Sequence, residues 1–249
     1  MIILKSLQEI EKIQKACLIV ADVLEGIRGM VRAGVTTQAL DEFAERFIVA
    51  AGAKPAFKGY RGYPKTLCTS VNNEIIHGIP SKGAVLKQGD IISIDVGTIV
   101  DGFYGDAAIT LPVGTITDEA ERLMKVTEES LFRGIAQAQA GNRLYDISHA
   151  VQNHVESNGY SVVRDFVGHG IGRSLHEDPQ IPNFGAPGQG PRLKPGMVLA
   201  IEPMVNVGGS ATVTQEDNWT AVTADGSLSA HFEHTIAVMP DGPWILTKN

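Results

Sequence analysis

Apolar residues recur at three- and four-residue intervals through Ile10, Ile13, Cys17, Val20, Leu24 and Ile27, the spacing of one buried helix face. Ser6-Leu-Gln-Glu9 ahead of them has the form of a capping box, in which a hydroxyl and a carboxylate each satisfy a free backbone N–H. The pattern predicts a helix from Ser6 toward Gly34. A second helix is expected from Thr37, with Leu40, Phe43, Ala44, Phe47 and Ile48 on one face and Gly52 as its stop. The period then changes to two. Ile91-Ile-Ser-Ile-Asp-Val-Gly97 alternates, Asp101-Gly102 supplies a two-residue hairpin turn, and Phe103 to Leu111 returns.

The same programme runs again. Helices are expected from Asp118 to Ala140 and from Leu144 to Ser157, stopped by Gly141 and Gly159, with strands after them. Leu86-Lys-Gln-Gly-Asp-Ile-Ile-Ser-Ile-Asp95 reads against Leu193-Lys-Pro-Gly-Met-Val-Leu-Ala-Ile-Glu202, and each copy ends in a carboxylate. Asp225-Gly226 precedes a strand carrying Glu233 much as Asp101-Gly102 precedes Asp106. These correspondences predict an α/β chain of two related halves, 1–112 and 113–249, in a single domain. The Gly/Pro-rich stretch from Pro179 to Gly196 is expected to be a loop near a site.

Composition narrows the classes. The 249 residues are 43% hydrophobic and 20% charged, ordinary globular material. Neither a signal peptide nor a membrane span is evident, so a cytoplasmic protein is expected. Two cysteines, Cys17 and Cys68, in a chain this large are expected to be free thiols. A net charge of -7 argues against general nucleic-acid binding.

The hairpin carries the first chemistry. With Asp101-Gly102 as the turn, Asp95 falls opposite Ala108 and Asp106 opposite Gly97, so both carboxylates share a face with Ser93 and Thr110. Neighbouring carboxylates near a core repel unless protonated or neutralised, and no adjacent Lys or Arg neutralises these. A divalent cation is the natural counter-charge; the alternative is a solvated hairpin with two surface acids. Glu202 ends an apolar strand before Pro203, and Glu233 lies in another apolar strand. His169 sits between glycines in Gly168-His-Gly170, which let the backbone approach a ligand. Four carboxylates with one imidazole suit two bridged divalent ions better than a structural zinc. His176 follows His169 by seven residues and His77 sits in a turn-like setting between Asn73 and Pro80; either alone is more often structural. His149, His154, His231 and His234 are assigned to packing or to supporting the ligands.

Together, Asn73–Pro80, Ile94-Asp-Val with Asp101–Asp106, Gly168–Arg173 with His176, Ile201-Glu-Pro203 and Glu233-His-Thr235 resemble the type I methionine aminopeptidases. The resemblance spans nearly the whole chain. It implies the pita-bread fold, with two pseudo-two-fold-related halves and antiparallel sheet flanked by helices. It also implies removal of the initiator methionine from nascent polypeptide N-termini, with a small second residue preferred. In that family's pattern Asp95 holds one metal, Asp106 and Glu233 bridge both, and His169 with Glu202 holds the second. The metals would be iron, manganese, cobalt or zinc. Glu202 would take the proton of the attacking water, and His77 and His176 would contact the substrate. Phe57, Tyr60, Tyr63, Cys68 and Trp219 match the methionine pocket. Register counted from Asp225-Gly226 instead turns Trp219 away from Glu233, so its pocket role comes from the resemblance alone. Leu175 replaces an aromatic usual in the bacterial enzymes.

The short segment between His169 and Glu202 leaves no room for the type II helical insertion, and no Cys/His-rich extension precedes Ser6. From Pro195 to Thr247 there is no Lys or Arg, so weak, salt-sensitive ribosome contact is the most that is expected, and the chain is expected to be a monomer. The rival readings are a prolidase or Xaa-Pro aminopeptidase, which usually carries an additional N-terminal domain, and a catalytically inactive binding protein on the same fold. Loss of a ligand would favour the inactive form, and all five are present.

Overall fold

The computed structural model describes residues 1–248. Helix α1 (Leu7–Arg28) opens on the predicted capping box: the Ser6 hydroxyl accepts the Glu9 N–H at 3.3 Å, and the Glu9 carboxylate accepts the Ser6 N–H at 3.1 Å. It ends before its apolar pattern does. Met30 and Val31 donate back to the Ile27 carbonyl, and they pack on the same core from a turn rather than from a helix. Helix α2 (Thr37–Ala50) starts at Thr37 as expected, on a Thr36 cap. Strands β1 (Lys54–Pro55), β2 (Leu67–Val71), β3 (Glu74–Ile76), β4 (Ile91–Val100) and β5 (Phe103–Pro112) complete the first half. In the β4–β5 hairpin Val100 faces Phe103, Asp95 faces Ala108 and Gly97 faces Asp106, the predicted register. Asp101 and Gly102 have φ of 51° and 77°, as a turn with two left-handed central residues requires.

The second half runs α3 (Asp118–Ala136), α4 (Leu144–Ser157), β6 (Ser161–Val162), β7 (Gly168–Gly170), β8 (Glu177–Ile181), β9 (Val198–Ile201) and β10 (Met204–Asn206). After these come β11 (Thr212–Thr214), β12 (Ala221–Thr223), β13 (Ser229–His231), β14 (Glu233–Met239) and β15 (Gly242–Ile245). Helix α3 stops short of Ala140 because Ala138 turns into the core, and the Asn142 side-chain amide takes the Gln137 carbonyl at 3.0 Å.

The internal repeat is written in hydrogen bonds. Gly34 N–H reaches the Leu86 carbonyl, and Gly141 N–H reaches that of Leu193. Gly89 N–H donates to Val113 at 3.0 Å and Gly196 N–H to Val238 at 3.0 Å, each answered by a 2.8 Å bond, Val113 N–H to Asp90 and Val238 N–H to Met197. Asp95 and Glu202 are therefore equivalent positions. The symmetry does not extend to the other acid pair, since the counterpart of Glu233 is Ala108 rather than Asp106. Asp225-Gly226 is also not the equivalent of Asp101-Gly102: β12 pairs with β11 and β3, and β13 with β10, so no hairpin spans that turn. The tight hairpin of this half joins β14 to β15, with Met239 facing Gly242.

A nine-stranded sheet in the order β1-β4-β5-β14-β9-β7-β8, with β2 on β4 and β15 on β14, crosses from one half to the other. Ile92, Ile94, Val96 and Ala107 bury one face of the hairpin against Val20, Leu24, Leu40 and Ile48 of α1 and α2. Each such side chain contributes roughly 1.5–3 kcal/mol by leaving water. Leu199, Ile201, Ile236 and Val238 pack against Leu131, Ile135 and Ile147 in the same way. The helices thus seal the apolar face, and the acids are left on the other. Among the described residues no helix is long and apolar enough to cross a membrane.

Candidate metal centre

Ladder register brings the carboxylates together. Asp95 faces Ala108 on β5, Ala108 also faces Glu233 on β14, and His234, next to Glu233, faces Ile201, next to Glu202. With strands about 4.8 Å apart, Asp95, Glu233 and Glu202 form a line across the sheet in which the methyl group of Ala108 leaves the space above it open. His169 on β7 faces Ala200 on β9. Asp106 is fixed through its backbone, because the Thr235 hydroxyl donates to its carbonyl at 2.7 Å and accepts its N–H at 3.3 Å.

His169 Nε2 lies 3.5 Å from Glu202 Oε1 and 3.9 Å from Asp106 Oδ2. Its Nδ1 is 3.0 Å from the Gly170 carbonyl; Nδ1–H donates there, which leaves the Nε2 lone pair toward the acids. Burial, and then the neighbouring His176, pull the His169 pKa down to about 3, so the ring is neutral, as a ligand must be. The glycines beside it serve a purpose other than ligand approach. A Cβ on Gly168 would lie 2.4 Å from the Ala200 carbonyl, and one on Gly170 would lie 2.2 Å from that of Asp178, so they let β7 fit between its neighbours.

The donor set fits divalent cations. Asp106, His169 and Glu233 each offer an atom within 4.8 Å of the others. Asp95 Oδ1, Asp106 Oδ1 and Glu233 Oε1 are buried without a hydrogen-bond partner, a cost seldom left unmet. Burial lifts the Asp95 pKa to about 7, and burial with neighbouring carboxylates lifts those of Asp106, Glu202 and Glu233 well above the usual range. No lysine lines the cavity above them, and the one arginine there, Arg61, is exposed.

That cavity, about 150 Å³, is lined by all twelve residues singled out from the sequence, with Arg61 and Leu175 added. Cys68 faces Asp95 across β2 and β4, which sets the apolar wall beside the acids. Its thiol is buried and held protonated, and Cys17 is free as well. Tyr63 packs edge-on to Trp219 with ring centroids 5.0 Å apart, and its hydroxyl is shared between the Leu67 and Gly78 carbonyls at 2.8 and 3.0 Å. Trp219 faces the cavity with Glu233, because the hairpin register that turned it away does not exist. His77, at φ 60°, packs edge-on to Phe166 and Trp219. His176 stacks on Tyr60, whose hydroxyl lies 2.9 Å from Nδ1.

The profile of metallopeptidase family M24 matches residues 11–240. The chain is 57% identical over 247 residues to a methionine aminopeptidase of Clostridium perfringens, covering 99% of each. It belongs to the methionine aminopeptidases of family M24. The solved methionine aminopeptidase of Thermotoga maritima superposes with a TM-score of 0.99 at 50% identity over the whole of both chains. The prolidase of Pyrococcus horikoshii shares the fold, at a TM-score of 0.81 and 23% identity over 99% of this chain and 64% of that one. Membership of this metallopeptidase family carries divalent-metal use with it.

One residue at the site escaped the sequence reading. Thr235 acts through a backbone contact to the other half, which no local pattern signals. His231, assigned to packing or to supporting the ligands, has its Nε2 buried, unpartnered and 3.7 Å from Glu202 Oε2. The stretch from Pro179 to Gly196, expected near the site, reaches it at Asn183, whose side-chain amide donates to the Glu202 carbonyl at 2.9 Å. It then runs along α4, where Gly188 N–H meets Asp146 and the Gln189 and Pro191 carbonyls accept from Tyr145 and Leu144. Of the other histidines, His154 pairs with Glu129 and His234 with Thr247, away from the acids.

Proposed function

We propose that Asp95, Asp106, His169, Glu202 and Glu233 hold two divalent ions, of iron, manganese, cobalt or zinc, in a single catalytic domain built from halves 1–112 and 113–249. The cavity above them receives the N-terminal methionine of a nascent polypeptide, which the protein removes, with a small second residue preferred. The row of buried, unpartnered carboxylate oxygens beneath an aromatic cavity carries this reading. Such ions, when bound, supply Lewis acidity for water activation and carbonyl polarisation.

The protein's own groups do the rest. Glu202, whose proton affinity is raised by burial, accepts the proton of the attacking water, a task suited to a carboxylate shifted toward neutrality. His77, lowered to about 4 by burial and by His176, and His176, lowered by burial and by Arg61, are both neutral at pH 7. With the Tyr60 hydroxyl donating to His176 Nδ1, the ring proton sits on Nε2. Both imidazoles then offer an N–H to the substrate carbonyl and the oxyanion it becomes. Phe57, Tyr63, Cys68 and Trp219 hold the thioether, which packs well against rings, and Tyr60 closes the side next to His176. The same reading has the chain act as a monomer in the cytoplasm, with weak, salt-sensitive ribosome contact, because residues 195–247 hold no Lys or Arg.

The test is methionine release from Met-Ala-Ser by metal-stripped protein, before and after divalent ions are restored, with a Leu-Pro peptide alongside. Metal-dependent release from Met-Ala-Ser alone is expected. Cleavage of Leu-Pro would move the assignment to the prolidases, and no turnover on either would leave an inactive binding protein.

A further inference from the structure

His176 lies between β7 and β8 in a stretch without regular structure, its ring centroid 4.3 Å from that of His169. Tyr104 N–H donates to the Gly172 carbonyl at 2.8 Å and Tyr60 meets the His176 ring, and a further tie on that stretch comes from the start of the chain. Lys5 Nζ is ion-paired with Glu177 Oε2, one residue from His176, and the two side chains are only 5% and 10% exposed. The second Glu177 oxygen accepts the N–H of Arg173 at 2.8 Å and of Ser174 at 3.2 Å. One carboxylate thus ties both ends of the turn at 173–177 to Lys5. Lys5 is itself anchored, since its N–H donates to the Gly196 carbonyl at 2.7 Å and its ammonium to the Ile3 carbonyl at 3.0 Å. A second, exposed clasp sits beside it: Arg173 meets Glu9 at 3.3 Å and lies 4.4 Å over the Phe103 ring.

A surface ion pair would contribute little here. A buried one adds little net stability either, but each charge depends on its partner's position, so the pair constrains geometry. Neither Lys5 nor Glu177 lines the cavity. We propose that Lys5 and Glu177 are positioning residues for His176, holding its turn so that the imidazole meets the scissile peptide. The proposal rests on the role given to His176 above. It makes the segment ahead of α1 part of the catalytic apparatus without touching substrate.

The test is steady-state turnover of Met-Ala-Ser by the metal-loaded protein. Lys5→Met is expected to lower kcat about 10-fold or more, a scale consistent with slight misplacement of a catalytic group, while KM moves less than about 2-fold. Metal titration is expected to be unchanged, and Lys5→Arg to restore most of kcat. In a His176→Ala background Lys5→Met is expected to change kcat less than about 2-fold, because no imidazole remains to misplace. Glu177→Gln keeps an acceptor for Arg173 and Ser174 while removing the charge; it should give the same pattern, and it stands in if Lys5→Met does not fold. A loss above about 2-fold in the His176→Ala background would mark a merely structural pair and overturn the proposal, as would undiminished kcat in the single variants. If the unaltered protein with metal restored releases no methionine, the reading of the site fails first and the inference falls with it.

Discussion

The two halves deliver their acids differently. Asp95 and Asp106 come from one continuous hairpin of two ten-residue strands. Glu202 follows a four-residue strand, and Glu233 opens β14 only after β10 to β13 have intervened. One half sets its carboxylates by local register, the other by long-range pairing. The comparison teaches that the repeat supplies scaffolding, while the centre itself depends on the seam where β14 pairs with both β5 and β9. Asp106 sits at that seam, since Thr235 of the second half grips its backbone.

The largest effect should therefore come from Asp106. Asp106→Ala is expected to lower kcat/KM by about 10³-fold or more, a scale seen when preorganised electrostatics are removed, with metal titration showing ions lost. Full turnover by this variant would mean the hairpin is not the heart of the site.

Next in size is a pH effect that separates metal-free from metal-loaded protein. The acids are held above their ordinary pKa in the fold, Asp95 at about 7 against 3.8. A raised folded value gives stability that is present at low pH and lost as pH climbs through it. His77, His169, His231 and His234 are depressed from 6.5 to between about 3 and about 4, and His176 is lowered as well, so they withdraw stability as pH falls through 6.5. The two sets therefore oppose each other near pH 6.5, and the carboxylates dominate only above about pH 7. The melting temperature of chelated protein is expected to rise as pH drops from about 8.5 to about 7. With metal restored the slope should reverse, because protons compete with ions for the ligands. Parallel slopes would show that the acids do not form the ion site.

Thr235→Val tests the seam with less force. It leaves the Asp106 N–H and carbonyl without their partner, which is expected to cost about 1–3 kcal/mol in a denaturant melt. An equal loss from Ser93→Ala, which breaks the 2.9 Å contact with Thr110 inside the hairpin, would remove any special status for the seam.

The same contrast explains what could be read from sequence. Alternation about Asp101-Gly102 was enough to place Asp95 and Asp106 on one face, because a two-residue turn fixes register within a few residues. Acids in apolar strands and a glycine-flanked imidazole gave Glu202, Glu233 and His169, while the separate roles of the ligands and the pocket came from motifs that match a known family. The facing of Trp219 was misread because a turn that looked like a hairpin joins strands that pair elsewhere. Thr235 and the partner of Lys5 were illegible for the same reason: each contact joins residues far apart in the chain. Helix α1 kept its apolar period past Arg28 because half-buried turn residues at Met30 and Val31, packed on the same core, need apolar side chains as helical ones do.

The finest comparison uses equivalent glycines in the two copies of the repeat. Gly89 and Gly196 open the same turn with φ of 93° and 92°, where any other residue meets a left-handed penalty of roughly 1–2 kcal/mol. Their surroundings differ. A Cβ on Gly89 finds nothing closer than 3.9 Å, whereas one on Gly196 would lie 2.7 Å from the Lys5 carbonyl. Gly196→Ala is therefore expected to cost more stability than the conformational penalty alone and to lower kcat by shifting Lys5. Gly89→Ala, the smallest change, should cost about 1–2 kcal/mol in a denaturant melt and leave kcat as it was. Equal costs with equal kcat would show that Lys5 yields freely to the new methyl group. The two halves would then differ in how they carry their acids and not in how they are held to the start of the chain.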